Sequence, residues 1–184
     1  MISTAKIKTS VFIATSLDGF IAKSDGSVDW LHEGEPPPEG EDFGFKAFFD
    51  SVDAMIIGRK AMEMVMSFEQ WPYEGKRVFV LSNTLKQVPE KLVEKIELYS
   101  GPLKELITKL EDENCKRLYV DGGKTIQSFI NESLITDMTI TRLPVLLGEG
   151  IPLFAKTPNQ INLQHVSTLA YSNGFVTSTY ETKG

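Results

Sequence analysis

Stretches crowded with β-branched, aromatic and aliphatic residues recur along the chain: "KTSVFIAT", "DAMIIG", "RVFVLS", "KIELYS", "RLYVDG", "TDMTITRLP", "LQHVSTLAYS" and "GFVTSTYE". Their composition and their polar, Gly- and Pro-marked boundaries predict strands. Between several of them the apolar positions switch to a helical period. Leu103, Leu106, Ile107 and Leu110 fall at i, i+3, i+4 and i+7, one face of a helix that opens near Gly101 and Pro102. Shorter stripes appear at Met62, Val65 and Met66, and at Ile126, Phe129 and Ile130.

Strands alternating with helices imply an α/β fold: a largely parallel sheet covered on both faces. Only "SNG" separates the last two strands, so the C-terminus is expected to close as an antiparallel edge hairpin. No internal repeat or second core is evident, and residues 1–184 read as a single domain. The biased stretch His32–Asp42, "HEGEPPPEGED", favours an extended, solvated segment, either a plain surface loop or a lid.

Composition narrows the function classes. Of 184 residues 41% are hydrophobic and 24% charged, the balance of a soluble globular protein. With 19 basic and 25 acidic residues the net charge is −6, which argues against a nucleic-acid groove. Cys115, the single cysteine, has no disulfide or metal partner. No apolar run approaches the roughly 20 residues of a membrane span. A cytoplasmic protein without a membrane or nucleic-acid partner is expected. His32 and His165 lie far apart, so no metal site is proposed.

The candidate chemistry lies at three turns. In "LYVDGGKTIQSF" a strand runs into Gly122 and Gly123, then into a helix. The spacing matches neither a P-loop nor a G-x-G-x-x-G fingerprint. Two readings remain open: a tight turn needing glycine dihedrals, or a corner where a phosphate meets bare backbone and free helix N–H groups. In "IIGRKAMEMV", Arg59 and Lys60 open a helix, a position that the helix dipole disfavours for cations unless an anion binds there. In "VLSNTLK", Ser82, Asn83 and Thr84 end a strand. Parallel strands would deliver all three turns to one sheet edge, where α/β proteins bind ligands.

Taken in order, "FIATSLDGFIA" with "DW" downstream, "IIGRKAME", "VFVLSNT", "LYVDGGKTIQSFI" and "LITDMTITRLPVLLGEGIPLF" resemble the dihydrofolate reductase superfamily, and within it the reductase domain of bacterial riboflavin biosynthesis. The resemblance covers nearly the whole chain. It implies a dihydrofolate reductase-like twisted sheet that binds NADPH and passes hydride to a small substrate, either pterin-like or like 5-amino-6-(5-phosphoribosylamino)uracil. It also implies a homodimer, with "ITDMTITRLPVLL" either pairing with a twin or forming a central strand. Carried over position by position, it assigns the pyrophosphate to Gly122, Gly123, Lys124 and Thr125. Gly58, Arg59, Lys60 and Ala61 form the second turn, with Arg59 or Lys60 meeting the adenosine phosphate beside Ser82 and Asn83. Ala14 and "SLDG" would lie near the nicotinamide.

The chain departs from the riboflavin-type pattern where "D-D-P-x-L-x-x-R" is replaced by "MSFEQWPYEGKRVF". The zinc-ligand patterns H-x-E and P-C-x-x-C do not occur. Hydride delivery to a C=N or C=O bond needs a proton source, for which the candidates are Asp18, Asp29, Glu41 and Asp42. The last two would match the carboxylate that true dihydrofolate reductases place on their first helix, if "FKAFF" is that helix. The alternative class is a nucleotide-binding or structural domain that keeps this fold without turnover.

Overall fold

The computed structural model describes residues 6–183. Its main sheet has eight strands. β1 (Lys8–Ser16) lies between β6 (Arg117–Asp121) and β7 (Asp137–Leu143), parallel to both. Beyond β6 follow β3 (Ala54–Gly58), β4 (Arg77–Leu81) and the three-residue edge strand β5 (Glu97–Tyr99), all parallel. Beyond β7 the direction reverses. β10 (Val176–Thr182) runs antiparallel to it, and β9 (Leu163–Ala170) forms the other edge. The expected α/β sheet with an antiparallel edge hairpin is what forms.

Alternation along each strand sorts the core into two layers. Val11, Ile56, Phe79, Leu118, Val120 and Ile140 pack with α3 (Leu103–Asp112) and α4 (Gly123–Asn131). All four apolar positions of the predicted α3 stripe are buried there. Met55, Ile57, Val78, Val80 and Tyr119 form the opposite layer with α1 (Phe45–Asp50) and α2 (Arg59–Val65). The helix α2 stops at Val65, so Met66 of the predicted stripe is its C-cap. The segment "ITDMTITRLPVLL" supplies β7, which is paired on both sides. The apolar residues of β7 itself, Met138, Ile140 and Leu143, therefore belong to the interior, whereas Leu146 beyond it is exposed.

A small second sheet, β2 (Phe20–Ala22) with β8 (Ile151–Pro152), was not predicted, because two or three residues carry no readable period. At the N-terminal ends of the central strands, the Arg117 guanidinium donates to Asp137 at 3.0 Å, Ser10 at 2.9 Å and Ser51 at 3.1 Å. This ties β6, β1 and β7 together. No helix of the described residues is long and apolar enough to cross a membrane.

Candidate active site

The C-terminal ends of β3, β6 and β1 reach one edge of the sheet, carrying Gly58, Asp121 and Ser16. There the turn after β6 touches the turn after β3. A Cβ placed on Gly122 would stand 3.6 Å from Ala61 Cβ, 3.7 Å from Gly58 N and 3.9 Å from Thr125 Oγ1. One placed on Gly58 would stand 2.8 Å from Thr125 Oγ1. Gly122 has φ of 93°, a region that side chains rarely adopt. Gly123 is bare for another reason, since a Cβ there would meet Ile21 Cδ1 at 2.9 Å. The chain's own conformation thus already favours glycine at 122, and packing against Ile21 favours it at 123. What remains for a ligand is the first turn of α4, where the Gly123, Lys124 and Thr125 amides have no helical acceptor.

The second turn gathers a cationic cluster. Arg59 Nε donates to Glu63 at 2.6 Å and its Nη1 to Thr84 Oγ1 at 3.3 Å, which swings the guanidinium toward the end of β4. Ser82 Oγ accepts the Thr84 and Leu85 amides at 3.3 and 3.0 Å. Lys86 Nζ reaches the Asn83 carbonyl at 3.5 Å, and Lys60 is exposed in the first turn of α2. Arg59 thus reaches the end of β4 through Thr84, which Ser82 also contacts, and Lys86 joins at the Asn83 carbonyl.

The four carboxylates singled out in the sequence each hold local structure. Asp18 accepts from Ser16 Oγ at 2.6 Å and from the Gly148 and Leu147 amides at 2.8 and 3.2 Å. It thereby pins "SLDG" to "LLGEG", about 130 residues away. These bonds, led by the Ser16 hydroxyl, hold its pKa below the usual carboxylate value. Asp29 pairs with Lys23 at 3.0 Å, which lowers its pKa too. Asp42 accepts the Lys46 and Gly44 amides at 2.8 and 2.9 Å, and these depress its pKa. Glu41 accepts the Phe43 amide at 2.7 Å. Both Glu41 and Asp42 precede α1 rather than lying on it.

A lowered pKa is the wrong direction for a proton donor working near neutrality. The carboxyl with the opposite behaviour is Asp121, which the sequence reading passed over. It ends β6 immediately before the glycine pair. It lies on the same face of β6 as Tyr119, which belongs to the α1/α2 layer, and it accepts the Gly122 amide at 2.8 Å. Surrounding protein atoms desolvate it and raise its pKa, against the lowering effect of that one bond. Among the described residues it is the one carboxylic acid shifted upward. Burial, with Asp121 as a second cause, also raises the Tyr73 and Tyr119 phenols. Tyr119 Oη donates to the Phe12 carbonyl at 2.8 Å. The signal available in the sequence was positional: an acid at the carboxyl end of a parallel strand, where such folds place their sites.

Further along the same edge, Ala14 of β1 is in register with Thr141 of β7, whose buried hydroxyl lies 2.7 Å from that of Thr177. Ala14 packs in a cluster with Trp30, Leu143 and Phe175. Within this region the Trp30 indole N–H and the Asn173 Nδ2 group are buried without a hydrogen-bond partner among the described residues, while Asn173 Oδ1 accepts the Phe175 amide at 3.3 Å. Buried donors of this kind are available to a water or to a substrate oxygen.

The strand order, the edge hairpin and the glycine corner define a dihydrofolate reductase-like fold. Dihydrofolate reductase from Enterococcus faecalis, complexed with NADP(H), superposes with a TM-score of 0.65 over 96% of this chain and 97% of its own at 15% identity. The chain belongs to the RibD C-terminal domain family, whose model matches residues 8–177. A Shewanella sp. PV-4 protein, whose name suggests riboflavin biosynthesis, is 42% identical with a TM-score of 0.91, covering 97% of this chain and 100% of its own. The uncharacterized protein YwjB of Bacillus subtilis is 35% identical over 159 residues, 85% of this chain and 88% of its own.

Proposed function

We propose that this chain is an NADPH-dependent reductase of a small heterocyclic substrate, with Asp121 as its proton donor. The observation that carries the reading is Asp121 itself, a desolvated carboxylic acid beside the glycine corner with its pKa raised. Asp121 is half-buried, and partly desolvating an acid with a single hydrogen bond costs stability; such groups concentrate at sites of proton transfer.

The donor set fits a phosphorylated dinucleotide. The free amides at the start of α4 suit a pyrophosphate. The Arg59 fork, with the Ser82 and Thr84 hydroxyls and the Lys60 and Lys86 charges, suits a terminal monophosphate. The bound dinucleotide would supply the hydride, that is, two electrons and one hydrogen nucleus. Asp121 would deliver the balancing proton to the heteroatom of the reduced C=N or C=O bond, and would regain it from solvent. Thr141, Trp30 and Asn173 would orient the substrate by hydrogen bonding. The bound state of the E. faecalis enzyme supports the choice of cofactor. The family and the name of the Shewanella protein support a riboflavin-type pyrimidine as the first substrate to test.

The experiment pairs NADPH binding, followed by quenching of Trp30 or Trp71 fluorescence, with turnover of pyrimidine and pterin substrates in native protein and Asp121→Asn. The expected result is unchanged NADPH affinity with kcat reduced by about 10²–10⁴-fold, the usual contribution of a positioned acid. NADPH binding without oxidation across the panel would instead identify a nucleotide-binding domain without turnover. Full activity in Asp121→Asn would remove Asp121 from the mechanism.

A further inference from the structure

The layer that holds Asp121 is walled by aromatic rings. Phe12 of β1 stacks on Phe48 of α1 with ring centroids 4.9 Å apart. Phe45 stands edge-on to Phe12 at 5.5 Å, stacks on Phe49 at 5.6 Å and reaches Tyr119 at 6.4 Å. Packing does not close this wall: Phe45 is 39% exposed, and Phe12 and Asp121 are half-buried. Asp121 is in register with Ile57 of β3, which is buried in the same layer, so its side chain leaves the sheet on this face.

Tyr73 joins the acid from a different part of the chain. It lies in "MSFEQWPYEGKRVF", between α2 and β4, and packs against the same layer with the Trp71 ring edge-on at 5.2 Å. Burial raises its phenol, and the Asp121 charge is the second cause, as it is for Tyr119. Among the described residues no cation lowers any of the three, so an acid and two phenols share a corner without positive charge. The cations of the surrounding elements are engaged elsewhere. Lys46 pairs with Asp50 at 2.5 Å, Arg117 with Asp137 at 3.0 Å and Arg59 with Glu63 at 2.6 Å. Lys76 donates to the Val52 carbonyl at 2.6 Å, and Lys95 lies over the Trp71 ring at 5.5 Å.

We infer that the site takes a flat, uncharged heterocycle without a phosphate or other anionic tail, laid on the Phe12–Phe45 wall with its polar edge at Asp121 and Tyr73. This rests on the proposed function for where reduction occurs, and adds the class of substrate. Flat rings gain from stacked and edge-on contact with such a wall. A carboxylic acid and a phenol can donate to ring carbonyls or nitrogens and accept from ring N–H groups, so either kind of heterocycle edge finds a partner. A phosphate has no such match. Drawn out of water into this corner, it would lose hydration with no cation to replace it. It would also lie near Asp121 and the phosphates of a bound dinucleotide, like charges that repel. Tyr73 is thus the specificity-determining side chain, since an arginine there would set a guanidinium where the phenol now stands.

The test is calorimetric binding of matched pairs that differ only by a phosphate: uridine with uridine monophosphate, and hydroxymethylpterin with its monophosphate. Excess NADP+ is present to fill the anion sites of the turns after β3 and β6 without reducing the ligand. In native protein the uncharged member is expected to bind about 10-fold or more tightly than its phosphorylated twin, the worth of one unmatched charge-assisted contact. Tyr73→Arg is expected to abolish or reverse that ratio. Phe45→Arg, at the exposed rim of the wall, is expected to do the same and replaces the first variant if that one does not fold. Equal or tighter binding of the phosphorylated members to native protein, no binding of any of the four ligands, or a ratio that neither arginine variant moves would each overturn the inference. Failure of the proposed reaction reads out differently: uncharged rings that bind while NADPH stays unoxidised would support this inference and count against turnover.

Discussion

Gly122→Ala separates what the glycine corner does for the fold from what it does for a ligand. The native residue holds φ of 93° and ψ of 133°, a region where an L side chain costs on the order of 1–3 kcal/mol. Space is not the difficulty, because the added Cβ would find its nearest neighbours at 3.6–3.9 Å, ordinary contact distances. Alanine also restricts the unfolded chain, which offsets about 0.4–1 kcal/mol of the strain. The net destabilisation is therefore about 1–2 kcal/mol, or a midpoint lowered by roughly 2–8 °C for a chain of this size. Gly123→Ala meets the opposite situation. Its Cβ would press on Ile21 Cδ1 at 2.9 Å, and that flexible methyl end can give way for about 1 kcal/mol or less. Urea and thermal unfolding of the two variants, with NADPH affinity measured on each, make the comparison. If Gly122→Ala unfolds at the native midpoint while Gly123→Ala loses several degrees, the strain argument is wrong.

Three further outcomes are expected. Asp121→Asn should be more stable than the native protein at neutral pH. Folding raises this acid's pKa, so the folded state binds its proton more tightly than the unfolded chain, and native stability falls as pH rises from the unfolded carboxyl value through the folded one. The gain should vanish below both pKa values, and pH-dependent urea titrations would show it. Arg59→Ala with Lys60→Ala should lower the preference for NADPH over NADH by roughly 10–100-fold, the worth of charge-assisted hydrogen bonds to one phosphate, as read from competitive binding. Arg117→Met should destabilise by about 2–4 kcal/mol, because Asp137 would stay buried with only the Ser10 and Thr136 hydroxyls as side-chain donors. In a double-mutant cycle with Asp137→Asn the losses should be non-additive; simple additivity would show that the pair is not coupled.

What the sequence by itself determined were the elements whose signals are local. The stripe Leu103, Leu106, Ile107 and Leu110 marked α3, the turn "SNG" marked the hairpin, and glycines and basic residues after strands marked the turns that follow β3 and β6. Each is fixed by neighbours a few positions apart, through side-chain period and backbone dihedrals. The motifs near residues 18 and 148 were visible, but their contact through the Asp18 carboxylate was not, since only the topology brings them together. The proposed proton donor belongs wholly to the tertiary structure. Asp18, Asp29 and Asp42 are as acidic in composition as Asp121, yet the folded chain gives them hydrogen bonds that favour charge and gives Asp121 desolvation that opposes it. Desolvation depends on atoms drawn from several strands and loops at once, and no window of sequence contains them.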